Sequence, residues 1–104
     1  MSVEINGVRV EAGSFYLDRH ESGGIWAYIF VKEVNEQARI VRFYEAEERY
    51  RDQWLLTLSC PERRALRVRN FGTFQDRYDL LEEAKLEEVP PGVIKALKAK
   101  GVEL

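Results

Sequence analysis

Val3, Ile5, Val8 and Val10 flank the dipeptide Asn6-Gly7, the pair that best supplies the two positive φ angles of a type I′ turn. A two-residue loop sets Ile5 opposite Val8 and Val3 opposite Val10, so all four apolar side chains share one face. The same register places Glu4 opposite Arg9 on the other face, a favourable cross-strand charge pair. The pattern predicts a β-hairpin.

Residues 14–17 form a further strand or continue the second arm. Ser22-Gly23-Gly24 breaks the chain, and residues 25–31 (IWAYIFV) are apolar on both parities, as in a central strand covered on both faces. Seven residues between turn signals favour strand over helix. Asn35-Glu36-Gln37 turns the chain into a strand over 39–45 (RIVRFYE). Trp54, Leu56, Leu58 and Cys60 then alternate with Leu55, Thr57 and Ser59, and Leu66 and Val68 alternate with Arg67 and Arg69. A five-residue loop over 61–65 would pair Cys60 with Leu66 and Leu58 with Val68, keeping like with like.

At Gly72 the period changes. Phe74, Tyr78 and Leu81 follow i, i+4, i+7, widened by Leu80 and Ala84, which predicts a helix capped by Thr73 with Asp76 in the capping-box position. Pro90-Pro91 stops it and opens a second helix over 92–100, with Val93, Ile94 and Leu97 on its apolar side and Gly101 just beyond its end. So short a helix needs a surface to dock on, and the sheet is the simplest one. The expected fold is α+β: an antiparallel meander of five to six strands over residues 1–71, with curling toward a small barrel as its variant, and with one or two C-terminal helices over 73–101 packed on it.

The chain of 104 residues is 45% hydrophobic and 33% charged with a formal net charge of −2, values that fit one folded domain and exclude a disordered chain. A single cysteine excludes an internal disulfide framework. No apolar run approaches the roughly 20 residues of a membrane-spanning helix, and Met1 is not followed by a charged and then apolar leader. A cytoplasmic protein is expected.

Charge changes the picture more than composition does. Residues 1–38 carry a net −3, residues 39–77 a net +3 and residues 78–104 a net −2. Every basic residue of the middle third is arginine, whose planar fork suits carboxylate, phosphate and aromatic partners. If Leu66 and Val68 face inward, Arg67 and Arg69 emerge together on an outer face near Arg63 and Arg64. Phe43, Tyr44, Tyr50 and Phe71 lie close in sequence. Arg63, Arg64, Arg67, Arg69 and Tyr44 are therefore the candidate binding residues. The competing reading is a solvated face neutralised by Glu45, Glu47 and Glu48.

No catalytic constellation emerges. His20, the only histidine, sits between Asp18 and Glu21 on an extended segment, where neighbours point to opposite faces and do not converge on a metal. Cys60 falls on the apolar parity and reads as a small core hydrophobe. The acid pairs Glu47/Glu48, Glu82/Glu83 and Glu87/Glu88 are adjacent in sequence, which suits no two-carboxylate mechanism. Trp26, Tyr28 and Phe30 alternate along one side of the central strand as core, or as the lining of a small pocket if the sheet curls. No cofactor or metal is implied. The leading functional reading is a non-catalytic module acting through protein–protein contacts, with a partner or with a second copy as a homodimer. An anionic-ligand or nucleic-acid binder is the alternative, and a small-molecule or enzymatic site near Trp26, Tyr28 and Tyr44 comes third.

Overall fold

The computed structural model of the chain describes residues 2–5, 7–19, 24–47, 60–78 and 80–104, apart from the side chain of residue 62. The hairpin forms in the expected register. Strand β1 (Ser2–Ile5) and strand β2 (Val8–Glu11) set Val3 opposite Val10, Glu4 opposite Arg9 and Ile5 opposite Val8. Gly7 has φ +74°, a left-handed angle that a side chain would strain. The hairpin is a separate two-stranded sheet rather than part of the main one.

Among the described residues the main sheet has five antiparallel strands in the order β6-β5-β4-β3-β7: β3 (Phe15–Arg19), β4 (Ile25–Asn35), β5 (Ile40–Glu47), β6 (Leu66–Asn70) and β7 (Leu81–Ala84). Four of them follow one another as a meander and β7 returns to the far edge. The sheet is open, so the barrel variant is not adopted. Among the described residues, the helices are α1 (Glu62–Ala65), α2 (Phe71–Arg77) and α3 (Pro91–Ala99), with a 3-10 turn at Leu86–Glu88. No helix among the described residues is long and apolar enough to cross a membrane.

Strand β4 is central, and the double parity of its apolar residues is explained by cover on both sides. Ile29 and Val31 join Ile5, Val10, Tyr16, Val41, Phe43, Phe74 and Tyr78 under the hairpin and α2. Tyr28 and Phe30 join Phe15, Leu17, Tyr44, Val93 and Leu97 under α3. The first of these faces is held partly by aromatic edges. Phe43 meets Phe74 at 5.2 Å and Tyr78 at 5.7 Å, both nearly perpendicular, a geometry worth about 0.5–1.5 kcal/mol per pair beyond burial. Tyr16 pins the hairpin to the sheet: its hydroxyl donates to the Arg9 carbonyl and accepts from the Glu11 amide, each at 2.8 Å.

Three expectations change. The helix after Gly72 stops at Arg77, and Leu81–Ala84 is a strand instead. Residues 81–84 have helical character locally, but β3 has a bare edge, and pairing Leu81 with Asp18 and Ala84 with Phe15 satisfies it. The cap of α2 is Asn70, whose side chain accepts from the Thr73 amide at 2.7 Å, so Thr73 lies inside the helix. Trp26 leaves the stripe expected with Tyr28 and Phe30. It is the extra residue where Asp18 pairs with Ala27 but Arg19 with Ile25, and this bulge turns it out to 37% exposure beneath the Arg77 guanidinium.

Helix α3 docks through Val93, Ile94 and Leu97 as the spacing predicts. It ends in a left-handed turn at Gly101 (φ +86°) in which the Gly101 amide donates to Lys98 and the Val102 amide to Leu97, the bonding pattern of a Schellman motif. His20, the break at 22–23 and the strand expected over 54–59 lie outside the described residues.

Candidate functional site

The arginine set divides between two places. Arg63 and Arg64 are exposed on α1, a single helical turn closed by the Arg64 and Ala65 amides donating to the Pro61 carbonyl. Arg67 and Arg69 stand on β6 opposite Phe43 and Val41, so both lie on the face covered by α2 and the hairpin, at its margin. That face is not a solvated outer surface, because β5 presents Val41, Phe43 and Glu45 to it. Tyr44 is not with them. It pairs with Leu66, points to the α3 side and is 1% exposed. Phe43 is buried as well, and Phe71 is capped by the Arg39 guanidinium 5.1 Å away. The expected grouping of Tyr44 with the arginines therefore does not form, because successive strand residues face opposite sides.

Arg67 leans inward, toward a carboxyl that sequence reasoning had assigned to the surface. Glu45 is 2% exposed. It accepts a hydrogen bond from the Tyr78 hydroxyl, and Arg67 Nε lies 3.8 Å from its Oε1. That Nε is buried without a hydrogen bond, while the arginine side chain as a whole keeps 38% exposure. Burial pushes the Glu45 carboxyl above its ordinary pKa, with the nearby Glu47 charge acting the same way and the Tyr78 hydrogen bond opposing. Burial and the Glu45 charge likewise push the Tyr78 phenol up. At the rim Arg77 pairs with Glu47 at 2.9 Å. The available signal was parity: Glu45 continues the inward series Val41, Phe43 and so takes a core position.

The edge of β6 is the more suggestive feature. The Phe71 amide donates to the Arg39 carbonyl at 3.0 Å, in register with Asn70 opposite Ile40. Peptide groups alternate in direction along an antiparallel strand. Arg67 and Arg69 therefore exchange their bonds with β5, and Val68 directs its N–H and C=O groups away from it, while Asn70 passes into α2 as its N-cap. Val68 is 39% exposed. Among the described residues β6 has a strand on one side only. The Cys60 carbonyl accepts from Lys100, and Cys60 packs, half-buried, with Leu66 among the residues beneath α3; the expected pairing of Leu58 with Val68 lies outside the described residues.

Other chemistry finds less footing. Among the described residues no group of three His, Cys, Asp or Glu side chains could hold a metal ion. Tyr28 and Tyr44 close with Phe15, Phe30, Val93 and Leu97 around a space of about 0 Å³ for a water molecule. No protein-family model matches the chain, and no curated protein or solved structure matches it.

Proposed function

We propose that the protein is a non-catalytic interaction module that works through protein–protein contacts, taking an extended segment of a partner chain along the outer edge of β6. The observation that supports this reading is the outward-directed peptide group of Val68 beside its exposed side chain, on the side of β6 that no other described strand covers. An edge of this kind supplies main-chain hydrogen bonds for an added strand, and alternate side chains supply selectivity. Nucleic-acid binding draws less support, since stacking on bases needs exposed aromatic faces beside the arginines and Tyr44 and Phe43 are buried. A homodimer through this edge is opposed by charge. Two antiparallel β6 strands centred on Val68 would set Arg67 opposite Arg69 twice on one face, and like charges directly opposed are destabilising.

Val68→Pro tests the reading. The Val68 N–H points outward, so proline removes a donor from the docking edge and none from the β5 ladder. A displayed library of ten-residue peptides selected on the immobilised protein is expected to yield binders that Val68→Pro no longer captures although it folds. Binders indifferent to Val68→Pro, or none at all, would overturn it.

A further inference from the structure

Arg39 closes the turn between β4 and β5 at φ +56°, the one left-handed angle on a non-glycine residue among the described residues. A β-carbon opposes that conformation, and glycine or asparagine commonly takes such a place. The surroundings impose it. The Ala38 amide donates to Asn35 Oδ1 at 2.9 Å, and the Phe71 amide donates to the Arg39 carbonyl at 3.0 Å. The second bond also brings the two side chains together, and the Arg39 guanidinium lies 5.1 Å over the Phe71 ring. Backbone strain of this kind persists where it aims a side chain at a functional site.

Beside the stacked pair lies a cleft of about 550 Å³, lined by Ser2, Val3, Glu4, Glu36, Arg39 and Phe71, a size within the range of small-ligand sites. The hairpin register shows what β1 presents there. Tyr16 bonds the Arg9 carbonyl and the Glu11 amide on the outer side of β2, so the Arg9 peptide groups point away from β1. Glu4, opposite Arg9, then directs its own N–H and C=O to the outer side of β1.

The charges in the cleft have no ionic partners. Among the described residues Arg39 has no carboxylate within ion-pair distance, and Glu4 and Glu36 have no cation. Glu36 is three residues from Arg39 and Glu4 lines the same cleft, yet the guanidinium rests on the ring. Arg9, which faces Glu4 across the hairpin, donates to Ser2 Oγ instead. One cation and two carboxylates therefore share a cleft with the half-buried side chains of Val3 and Phe71. A plain anion would meet two like charges and a plain cation would meet Arg39. A small ligand that carries both charges can place each against its opposite.

We infer that this cleft binds a free α-amino acid with an apolar side chain. The ligand carboxylate takes the Arg39 fork, which the ring beneath it holds as a plane suited to two parallel hydrogen bonds. The ligand ammonium lies toward the Glu4 and Glu36 carboxylates, and its side chain rests on Val3 and Phe71. The site is separate from the outer side of β6 and does not depend on strand pairing there.

L-Phenylalanine, titrated into the isotope-labelled full chain, is expected to shift the amide signals of Glu4, Arg39 and Phe71 and to saturate. Phenylpropionate, which lacks the ammonium, and phenethylamine, which lacks the carboxylate, should each bind at least about tenfold more weakly, as when one charge-assisted contact is lost. Glycine adopts φ +56° without strain. Arg39→Gly should therefore melt close to the wild type while binding phenylalanine no better than phenethylamine. Phenylpropionate binding as tightly as phenylalanine would reduce the cleft to an anion site, and phenethylamine doing so would reduce it to a cation site. Either result on the wild-type protein would overturn the inference. So would phenylalanine binding that survives Arg39→Gly intact, or a titration that leaves those three amides unmoved.

Discussion

Tyr78 donates its hydroxyl hydrogen to the buried carboxyl of Glu45, tying the residue that caps α2 to an interior position of β5. The bond spans 33 residues of sequence, and it lies beside Arg67 on the edge strand. One carboxyl is thus in contact with the helix that covers the sheet and with the strand proposed to receive a partner. A carboxyl left alone in such a place would be costly. Here a phenol and a guanidinium offset its removal from water.

The raised pKa of Glu45 has a stability consequence with a definite sign. The folded state holds the Glu45 proton more tightly than the unfolded chain does. The contribution of this group is therefore complete below its ordinary value of 4.5 and declines as pH rises toward the raised folded value. Glu45→Gln keeps an acceptor for Tyr78 and does not titrate. Thermal melts of the two proteins at increasing pH should show the variant gaining on the wild type above pH 4.5. A wild type that gains on the variant instead would contradict the assignment.

Proline scanning separates the inner and outer sides of β6. Arg69→Pro removes a ladder bond to β5 and leaves its acceptor unpaired, which should cost about 1–3 kcal/mol. Val68→Pro removes only an outward N–H and should cost less, since edge strands accept proline there. Urea denaturation of both variants checks the order. Equal losses would mean that the peptide at Val68 is already bonded.

Tyr16→Phe should loosen the hairpin in particular. It strips partners from the Arg9 carbonyl and the Glu11 amide, and an unsatisfied buried polar group costs about 1–3 kcal/mol. Amide exchange should accelerate at Glu11 more than within β4.

Gly101→Ala should destabilise the protein by about 1 kcal/mol, because φ +86° at this position is a left-handed conformation that a β-carbon opposes. Leu97→Ala, which empties the contact between α3 and the sheet, should cost about 2–5 kcal/mol. Melting temperatures order the two.

Much of the molecule was legible from local rules. The Asn6-Gly7 turn with four valine and isoleucine side chains in phase dictates one register, and a slip by one residue would expose all of them. The double-parity run in β4 announces burial on both faces, and Pro91 and Gly101 mark the ends of α3. The β7 strand was not legible, because residues 81–84 prefer a helix until β3 presents an edge to them. The inward course of Arg67 was hidden for a similar reason: its partner Glu45 reads as a surface acid unless the cover over β5 is known.

Chemistry close along the chain thus settled the hairpin turn, the ends of α3, the central strand and the class of fold, since each depends on residues a few positions apart. The folded arrangement settled which acid is buried and which aromatics lose their exposure. Those outcomes depend on what covers a face, and the covering groups come from distant parts of the chain. Tyr78 meets Glu45 across 33 residues, and no local pattern encodes that meeting.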